Sequence, residues 1–268
     1  MSEIRRPFPA ATIALLRPDP SGFLVFLVQR NRAVGFLPNA WVFPGGRVET
    51  SDRLRAHAAV RGGGRAAERL GGDLDEAFAV LVAGVRETFE EAAVWLGDGM
   101  PRERRFELGR DGRPFTDVLA DTGASLDLDR LHPWSRWVTP SVEPKRFDTR
   151  FLLAITDDVD ALHDDGETVA SKWMRPGDAY DAAVRGDLPM APPTWWTLHE
   201  LAQYDTIDAV IAASTDRPMR PIEPIAKVDT GEFELVLPGD PDHPEPAISG
   251  LPGRVVFSQG RWWARKAS

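Results

Sequence analysis

The chain has 268 residues, a hydrophobic fraction of 43% and a formal net charge of −9. This length can bury a sizeable core, as one large domain or as a domain with an appendage. The absence of cysteine excludes disulfides and thiolate metal sites, five dispersed histidines argue against a zinc site, and the acidic balance argues against a nucleic-acid-coating protein.

No apolar run approaches the roughly 18 residues that a membrane span requires. The first residues also lack the apolar core of a signal peptide. The sequence therefore predicts a cytoplasmic protein without a membrane partner.

The first part of the chain predicts a hairpin that leads to a glycine turn. Residues 10–16 and 23–29 are apolar runs separated by the turn-forming residues 18–22, which indicates two paired strands. Residues 41–43 form a short strand that delivers Pro-Gly-Gly at 44–46, where the backbone can approach a ligand closely. Alone, this glycine pair would be an ordinary turn. The acidic helix downstream favours a functional role.

Residues 53–72, rich in Arg, Ala and Gly, separate that turn from the helix. They show no strong apolar stripe, so they predict an inserted surface segment that packs outside the core. A long helix is predicted to begin at Asp73, with Glu76 completing a capping box, and to end at Gly97. Apolar residues recur along it with the helical period, at 78, 81, 82, 85, 89, 93 and 96.

Three glutamates share one face of this helix, away from the apolar stripe. Glu87, Glu90 and Glu91 are spaced i, i+3 and i+4, so their carboxylates lie close together and repel one another. A hard divalent cation would relieve the repulsion, since Mg²⁺ takes oxygen ligands from carboxylates and substrate phosphates. Arg86 stands four residues before Glu90, which predicts an i,i+4 ion pair as the simplest role for both side chains.

The second half of the chain predicts two further strands, at 151–155 and 169–174, and two helices. One helix opens at 175–178, and a longer one spans 193–213. Trp134 and Trp137 are expected to pack in the core, and residues 98–130 show only weak helical periodicity.

Residues 215–268 predict a β-rich extension to a main domain of residues 1–214. A strand is expected at 233–237, and a final hairpin is expected over 254–264. We expect this extension to pack on the same domain.

The glycine turn and the acidic helix together resemble the signature of the Nudix hydrolases. That signature runs Gly, five residues, Glu, seven residues, then Arg-Glu-aliphatic-x-Glu-Glu-x-Gly-aliphatic. Gly46 is followed after five residues by Asp52. The second half is matched by Arg86, Glu87, Glu90, Glu91 and Val94. Asp52 stands where Glu is usual, Thr88 replaces an aliphatic residue, and Ala93 replaces the glycine.

Four further features are similar to the peroxisomal acyl-CoA diphosphatase subgroup of that family. They are the approach 35–38 before the strand and turn at 42–46, a gap over 53–85 where seven residues are usual, the stretch 146–149 before an apolar strand, and Glu167 six residues ahead of Trp173. The resemblance covers about residues 8–210. The sequence has no obvious C-terminal peroxisomal tripeptide, so the resemblance supports the fold and the cleaved bond better than the compartment.

The resemblance implies an α/β (α+β) Nudix fold, with a mixed β-sheet sandwiched between helices and an insertion inside the signature. It also implies metal-dependent hydrolysis with Mg²⁺ or Mn²⁺. The implied metal ligands are the Gly45 carbonyl, Glu87, Glu90, Glu91 and Glu167, although Glu167 is equally a charge at a loop end. Glu87 and Glu90 are the candidate catalytic residues, with one glutamate serving as base, and Arg86 would orient the glutamates.

Arg30 ends the second predicted strand, and Phe43 and Arg47 flank the glycine turn; these three are the candidate substrate-binding residues. The two arginines could contact phosphate, although Arg30 is equally well a solvated strand end. The expected substrate is a small-molecule diphosphate, first of all CoA or an acyl-CoA cleaved to 3′,5′-ADP and (acyl)phosphopantetheine. Two alternatives stay open: a hydrolase of another nucleoside diphosphate derivative, such as ADP-ribose or a dinucleotide, and a Nudix-fold binding or regulatory module without catalysis. A homodimer is also left open.

Overall fold

The computed structural model describes residues 6–32, 38–158, 160–163, 166–227 and 232–265. Most of the approach motif at 35–38 therefore lies outside the described residues. Within the described part of the chain, no helix combines the length and apolarity needed to cross a membrane.

Strands occur along the whole chain and form one large sheet and two small ones. In chain order they are β1 (Phe8–Asp19), β2 (Gly22–Arg30), β3 (Trp41–Val42), β4 (Gly45–Arg47), β5 (Val60–Arg61), β6 (Gly97–Asp98), β7 (Ser125–Asp127), β8 (His132–Val138), β9 (Phe147–Ile155), β10 (Thr168–Met174), β11 (Pro221–Ile222), β12 (Ile225–Lys227), β13 (Phe233–Val236), β14 (Arg254–Ser258) and β15 (Arg261–Arg265).

The large sheet is mixed, with six strands in the order β10-β2-β1-β9-β8-β11 and with β3 and β4 paired to β2 and β1. β1 runs antiparallel to β2 and parallel to β9. Along β1, Ile13 and Leu15 are buried on one face and Ala14 and Leu16 on the other. A central strand that is apolar on both faces needs a layer of helices on each side.

Two layers of helices supply that cover. The layer over Ile13 is formed by the first four helices, and the layer over Ala14 is formed by the last three. The prediction of a mixed sheet sandwiched between helices is confirmed. The helices are α1 (Gly64–Leu70), α2 (Leu74–Ala92), α3 (Arg105–Arg110), α4 (Phe115–Thr122), α5 (Pro176–Arg185), α6 (Pro192–Leu201) and α7 (Ile207–Thr215).

The predicted strands at 10–16, 23–29, 151–155 and 169–174 are all present, and each extends beyond its predicted range. The tryptophans of β8 are core residues as expected, because Trp134 and Trp137 are 0% and 4% exposed.

The insertion at 53–72 differs from its prediction. α1 lies inside it and buries Ala66, Ala67 and Leu70 in the core beneath α2. The expectation that this segment packs outside the core is therefore wrong for α1. A helix of two turns that contributes three small or medium apolar side chains is too short to give a recognisable periodic pattern.

The signature helix α2 begins as predicted, with the Asp73 side chain accepting from the Glu76 backbone N–H at 2.9 Å. It ends earlier than predicted, at Ala92, where Ala93 adopts a left-handed conformation with φ 54°. Gly97 lies instead in β6. The apolar residues at helical spacing continue to Leu96, which lies beyond the helix but is buried in the same core, so the spacing alone predicted a longer helix.

The predicted helix over 193–213 is two helices. α6 ends at Leu201, and α7 begins after Thr206, whose side chain accepts from the Ala209 N–H at 3.2 Å. Thr206 is thus an N-cap inside an otherwise helical apolar pattern.

The C-terminal strands form a separate antiparallel sheet in the order β12-β13-β14-β15. Leu235, Leu237 and Val255 belong to the same buried cluster as α5–α7. The Trp262 indole N–H also donates to the Met190 carbonyl at 2.9 Å. The extension therefore covers the face of the large sheet opposite to α2.

Ala93→Gly should be tolerated despite the burial of Ala93, which is 4% exposed. A left-handed conformation costs an L-residue about 1–2 kcal/mol, and glycine adopts it freely. The neighbouring Ala92→Gly, at a helical and fully buried position, should cost about 1 kcal/mol or more. Urea denaturation should show Ala93→Gly to be more stable than Ala92→Gly by about 1 kcal/mol. Equal losses would mean that Ala93 is not strained.

Candidate active site

A buried guanidinium joins the two stretches that carry the signature. Arg86 is 5% exposed, and each of its five N–H groups has an acceptor. Its Nε and Nη2 donate to the two oxygens of Asp52 at 2.8 and 3.1 Å, and Nη2 also donates to the Arg47 carbonyl at 3.0 Å. Its Nη1 donates to Glu87 Oε1 and to Glu90 Oε2, both at 2.9 Å. The predicted ion pair with Glu90 is therefore present, as one part of a larger network.

Asp52 faces Arg86 instead of joining the glutamates. It ends the short 3₁₀ turn Thr50–Asp52, is 0% exposed, and also accepts from the Glu49 N–H at 2.7 Å. In the sequence Asp52 is only a departure from the signature, without a predicted role. Two features of the sequence could have predicted the pair with Arg86. Asp52 has the signature spacing from Gly46, and a buried arginine requires a carboxylate that accepts two hydrogen bonds.

The glycine turn lies directly against the carboxylates. A Cβ atom on Gly46 would stand 2.3 Å from Glu87 Oε1, so only glycine leaves room for that carboxylate. The Gly45 N–H donates to Glu91 Oε2 at 2.9 Å. β4 is held in place by pairing with β1, which sets Gly45 opposite Thr12. The turn and the helix thus meet through Glu87 and Glu91, as the two sequence stretches predicted.

Burial governs the protonation of the three glutamates. Loss of solvation raises the pKa of Glu87 to about 7, with Arg86 opposing the shift and Glu90 adding to it. Burial and then the charge of Glu87 raise the pKa of Glu91, whereas burial raises the pKa of Glu90. The charges of neighbouring glutamates thus contribute to the raised pKa values of Glu87 and Glu91, as the repulsion predicted from their spacing requires.

Glu167 lies near enough to the same carboxylates for its charge to act on them. It is exposed, and its charge contributes to raising the pKa of both Glu87 and Glu91. Its backbone carbonyl accepts from the Asn31 N–H at 2.8 Å, which holds the start of β10 beside the end of β2. The charge of Glu167 thus acts on the cluster, and its role as a metal ligand stays a prediction.

The donor set suits a hard divalent ion. Glu87, Glu90, Glu91 and Glu167 offer carboxylate oxygens only, which is the ligand chemistry of Mg²⁺ and Mn²⁺. As the side chains stand, the described residues contain no trio of Asp, Glu or His close enough to ligate one ion. Glu87 and Glu90 each turn one oxygen to Arg86, which leaves the second oxygen of each side chain to ligate an ion.

The three predicted substrate-binding residues lie in different environments. Arg30 is half-buried, its charge acts on Glu91, and its Nε has no acceptor among the described residues. Arg47 is exposed, with its guanidinium 5.6 Å from the ring centre of Phe8. Phe43 is 1% exposed and packs in the core on the face opposite to α2. Phe43 therefore has a packing role instead of the predicted substrate contact.

The raised pKa of Glu87 predicts how metal binding depends on pH. Because the folded protein favours the protonated form, this group's contribution to the free energy of unfolding is present below about pH 4.5 and is lost as pH rises through about 7. With EDTA, the wild-type Tm should fall more between pH 5 and 8 than that of Glu87→Gln. Mg²⁺ should raise the wild-type Tm more at pH 8 than at pH 5.5. Glu68→Gln, at an exposed glutamate on α1, should behave like the wild type. A Mg²⁺ effect that is equal at both pH values would contradict this assignment.

Comparisons with known proteins agree with this geometry. The family model described as the NUDT19 Nudix domain matches residues 64–201. The chain is 30% identical to the acyl-coenzyme A diphosphatase NUDT19 of Gallus gallus, over 85% of this chain and 75% of the relative. The Homo sapiens protein of the same name is 26% identical, over 84% and 73% of the two chains.

A solved structure shares the fold. The crystal structure of a NUDIX hydrolase from Alicyclobacillus acidocaldarius is 27% identical to this chain, with a TM-score of 0.66 over 78% of this chain and 97% of that one. Nudix hydrolases generally use divalent metal ions, which matches the oxygen-rich cluster on α2. With the signature residues brought together around Arg86, the chain belongs to the Nudix hydrolases, in the family of the NUDT19 Nudix domain, and is a Nudix pyrophosphohydrolase.

Proposed function

We propose that this enzyme hydrolyses the diphosphate of CoA or an acyl-CoA in the presence of Mg²⁺ or Mn²⁺, giving 3′,5′-ADP and (acyl)phosphopantetheine. The relatives from Gallus gallus and Homo sapiens that are named acyl-coenzyme A diphosphatases support the substrate class. The observation that carries the proposal is the packing of the Glu87 and Glu91 carboxylates against the glycine turn, beside Arg86.

The first requirement of diphosphate cleavage is a metal site. Glu87, Glu90, Glu91 and Glu167 would hold the metal, with the Gly45 carbonyl as a further predicted ligand. When bound, the ion supplies charge neutralisation for the diphosphate and activation of water. Without it, an acidic chain with a net charge of −9 would repel the substrate.

Proton transfer falls to the glutamates of α2. Glu90 is the most exposed of the three, with 37% of its side chain accessible, whereas the Glu87 side chain is 15% accessible. Each has one oxygen held by Arg86 and a second oxygen with which to accept a proton from an attacking water. Both remain candidates for the base. Arg86 is a positioning residue, since all of its donors are used within the protein.

Substrate contact falls to the arginines on the strands. Arg30 and Arg47 end β2 and β4 and are the predicted phosphate-binding cations, and the charge of Arg30 acts on Glu91. A cytoplasmic location and a homodimer stay predictions.

Glu90→Gln and Glu91→Gln should each lower turnover by at least about 10²-fold, because transition-state charge stabilisation depends on the carboxylate cluster. Far-ultraviolet circular dichroism and Tm should show an intact fold. The control is again Glu68→Gln, with wild-type turnover expected. Near-wild-type rates in both site variants would refute the assignment of these glutamates.

Gly46→Ala should lower turnover by about 10²-fold with little loss of stability. The added methyl group meets the end of the flexible Glu87 side chain at 2.3 Å, so the carboxylate moves and the backbone does not. Gly64→Ala is the matched control, because a Cβ on Gly64 meets nothing within 4 Å. Steady-state kinetics and urea denaturation measure the two effects. An unchanged rate in Gly46→Ala would mean that the Glu87 position is not required.

Hydrolysis should occur inside the diphosphate. A screen of CoA, acyl-CoAs, ADP-ribose and NADH with Mg²⁺ and Mn²⁺ should give the highest kcat/KM with CoA or an acyl-CoA. In ¹⁸O-water, cleavage of CoA should place one label on one of two phosphomonoester products, with no inorganic phosphate released first. Primary release of inorganic phosphate would indicate a phosphatase. Metal binding without turnover of any diphosphate would favour the binding module.

A further inference from the structure

Two aromatic side chains form an exposed patch at the start of β1. Phe8 and Phe147 are register partners in the parallel β1–β9 pair, and their ring centres are 6.4 Å apart with the rings tilted by 47°. Phe8 is 47% exposed, and Phe147 is half-buried. A single exposed apolar side chain is ordinary, but two adjacent exposed rings indicate a binding surface. Neither ring has a role in the site described above.

In the stretch that is similar to the acyl-CoA diphosphatase subgroup, Phe147 lies between two charged residues whose side chains are used inside the protein. Arg146 is buried and donates through Nη2 to Glu223. Asp148 accepts from Nε and Nη2 of Arg136, both at 2.8 Å. These two side chains hold β9 in place through ion pairs, so Phe147 is the large side chain of the stretch that is left for a ligand.

Each ring of the patch has a cation beside it. The Arg47 guanidinium lies 5.6 Å from the ring centre of Phe8, and Lys145 Nζ lies 5.3 Å from the ring centre of Phe147. Both cations are exposed, and neither forms an ion pair with a carboxylate in the described part of the chain. In an acidic protein, apolar rings flanked by two unpaired positive charges are complementary to a planar anion.

Arg47 connects this patch with the carboxylate cluster. In β4 it is the register partner of Ala10, which is two residues, or ~7 Å, along β1 from Phe8. Its carbonyl accepts from Arg86 Nη2 at 3.0 Å, and Nη1 of the same guanidinium donates to the glutamates of α2. The side chain of Arg47 thus contacts the patch, and its backbone contacts the arginine that positions the cluster.

A ligand that reaches both places crosses β4. A Cβ atom on Gly46 would point at Glu87, so the side chain of the next residue, Arg47, points to the opposite face. β4 pairs with β1 along one edge, and its other edge has no strand partner among the described residues. Gly46 itself has no side chain that would block the crossing. The geometry admits a ligand with its diphosphate on the Gly46 side and an aromatic group on the Phe8 side.

We propose that Phe8, Phe147, Arg47 and Lys145 bind the nucleotide end of the substrate. The adenine base lies on the rings, and the two cations bind phosphate oxygens. This assignment rests on the proposed function, in which the substrate is CoA or an acyl-CoA. Its 3′,5′-ADP end carries an aromatic base and an additional phosphate next to the diphosphate. The phosphopantetheine end has neither an aromatic ring nor a second phosphate, so it does not match the patch.

The kinetic test removes one ring or one cation. Phe8→Ala and Lys145→Gln should each raise KM for CoA, by about tenfold for Phe8→Ala, with little change in kcat, because stacking of the base is shared by the ground state and the transition state. Both side chains are exposed, so Tm should show an intact fold. Phe257→Ala is the control, since Phe257 is 38% exposed and lies in the separate C-terminal sheet. Wild-type KM values in both patch variants would overturn the proposal.

A binding test identifies the end of the substrate that the patch holds and does not depend on turnover. 3′,5′-ADP and 4′-phosphopantetheine are titrated calorimetrically, with Mg²⁺, into the full chain as wild type, Phe8→Ala and Phe257→Ala. Phe8→Ala should bind 3′,5′-ADP about tenfold more weakly and should bind 4′-phosphopantetheine as the wild type does. Equal affinity of Phe8→Ala and wild type for 3′,5′-ADP, or no measurable affinity in the wild type, would overturn the proposal.

Two further outcomes separate this assignment from the proposed function and from a subunit interface. If neither CoA nor an acyl-CoA is hydrolysed, the proposed function fails, and the titration still decides whether the patch binds a nucleotide. Sedimentation velocity tests whether two copies of the chain meet at the patch. A dimer that dissociates in Phe8→Ala, with an unchanged affinity for 3′,5′-ADP, would overturn the proposal in favour of a subunit interface.

Discussion

The paired charge of Arg86 is the constraint on which the rest of the site depends. This guanidinium is buried, and a buried cation is tolerated only when its donors are satisfied. Its acceptors come from the turn ending at Asp52, from the Arg47 backbone in β4, and from two glutamates of α2. The same contacts that make Arg86 acceptable in the interior thus fix the signature helix α2 against the glycine turn. Arg86 therefore stabilises the fold and positions the glutamates through the same hydrogen bonds.

The glutamates illustrate a site that is built at the expense of stability. Gly45 and Arg86 satisfy some of the carboxylate oxygens, and burial raises the pKa of Glu87, Glu90 and Glu91. In the metal-free protein these groups oppose folding once they ionise. A divalent cation bound among them would remove that opposition, so metal binding is expected to strengthen as these glutamates ionise.

The large sheet keeps this chemistry on one side of the molecule. α1–α4 pack on the face that carries Ile13, and α2 presents its glutamates at the edge of that layer. The opposite face is filled by α5–α7, by tryptophans such as Trp134 and Trp195, and by the C-terminal sheet. Phe43 precedes the glycine turn by one residue, yet it belongs to this second core. A side chain that is adjacent in sequence to the glycine turn can therefore lie on the opposite face of the sheet, because successive side chains of a strand alternate between faces.

The sequence by itself determined what depends on local periodicity and local hydrogen bonding. The strands of the hairpin, the N-cap at Asp73 and the shared face of Glu87, Glu90 and Glu91 follow from neighbouring residues alone. Only the tertiary structure decided which side chains meet over long sequence separations. Asp52 pairs with Arg86 across 34 residues, α1 enters the core although it is too short to show a stripe, and α2 stops at Ala92 although Leu96 continues the apolar pattern. The physical reason is that burial and ion pairing depend on distances in space, which a periodic pattern along the chain does not contain.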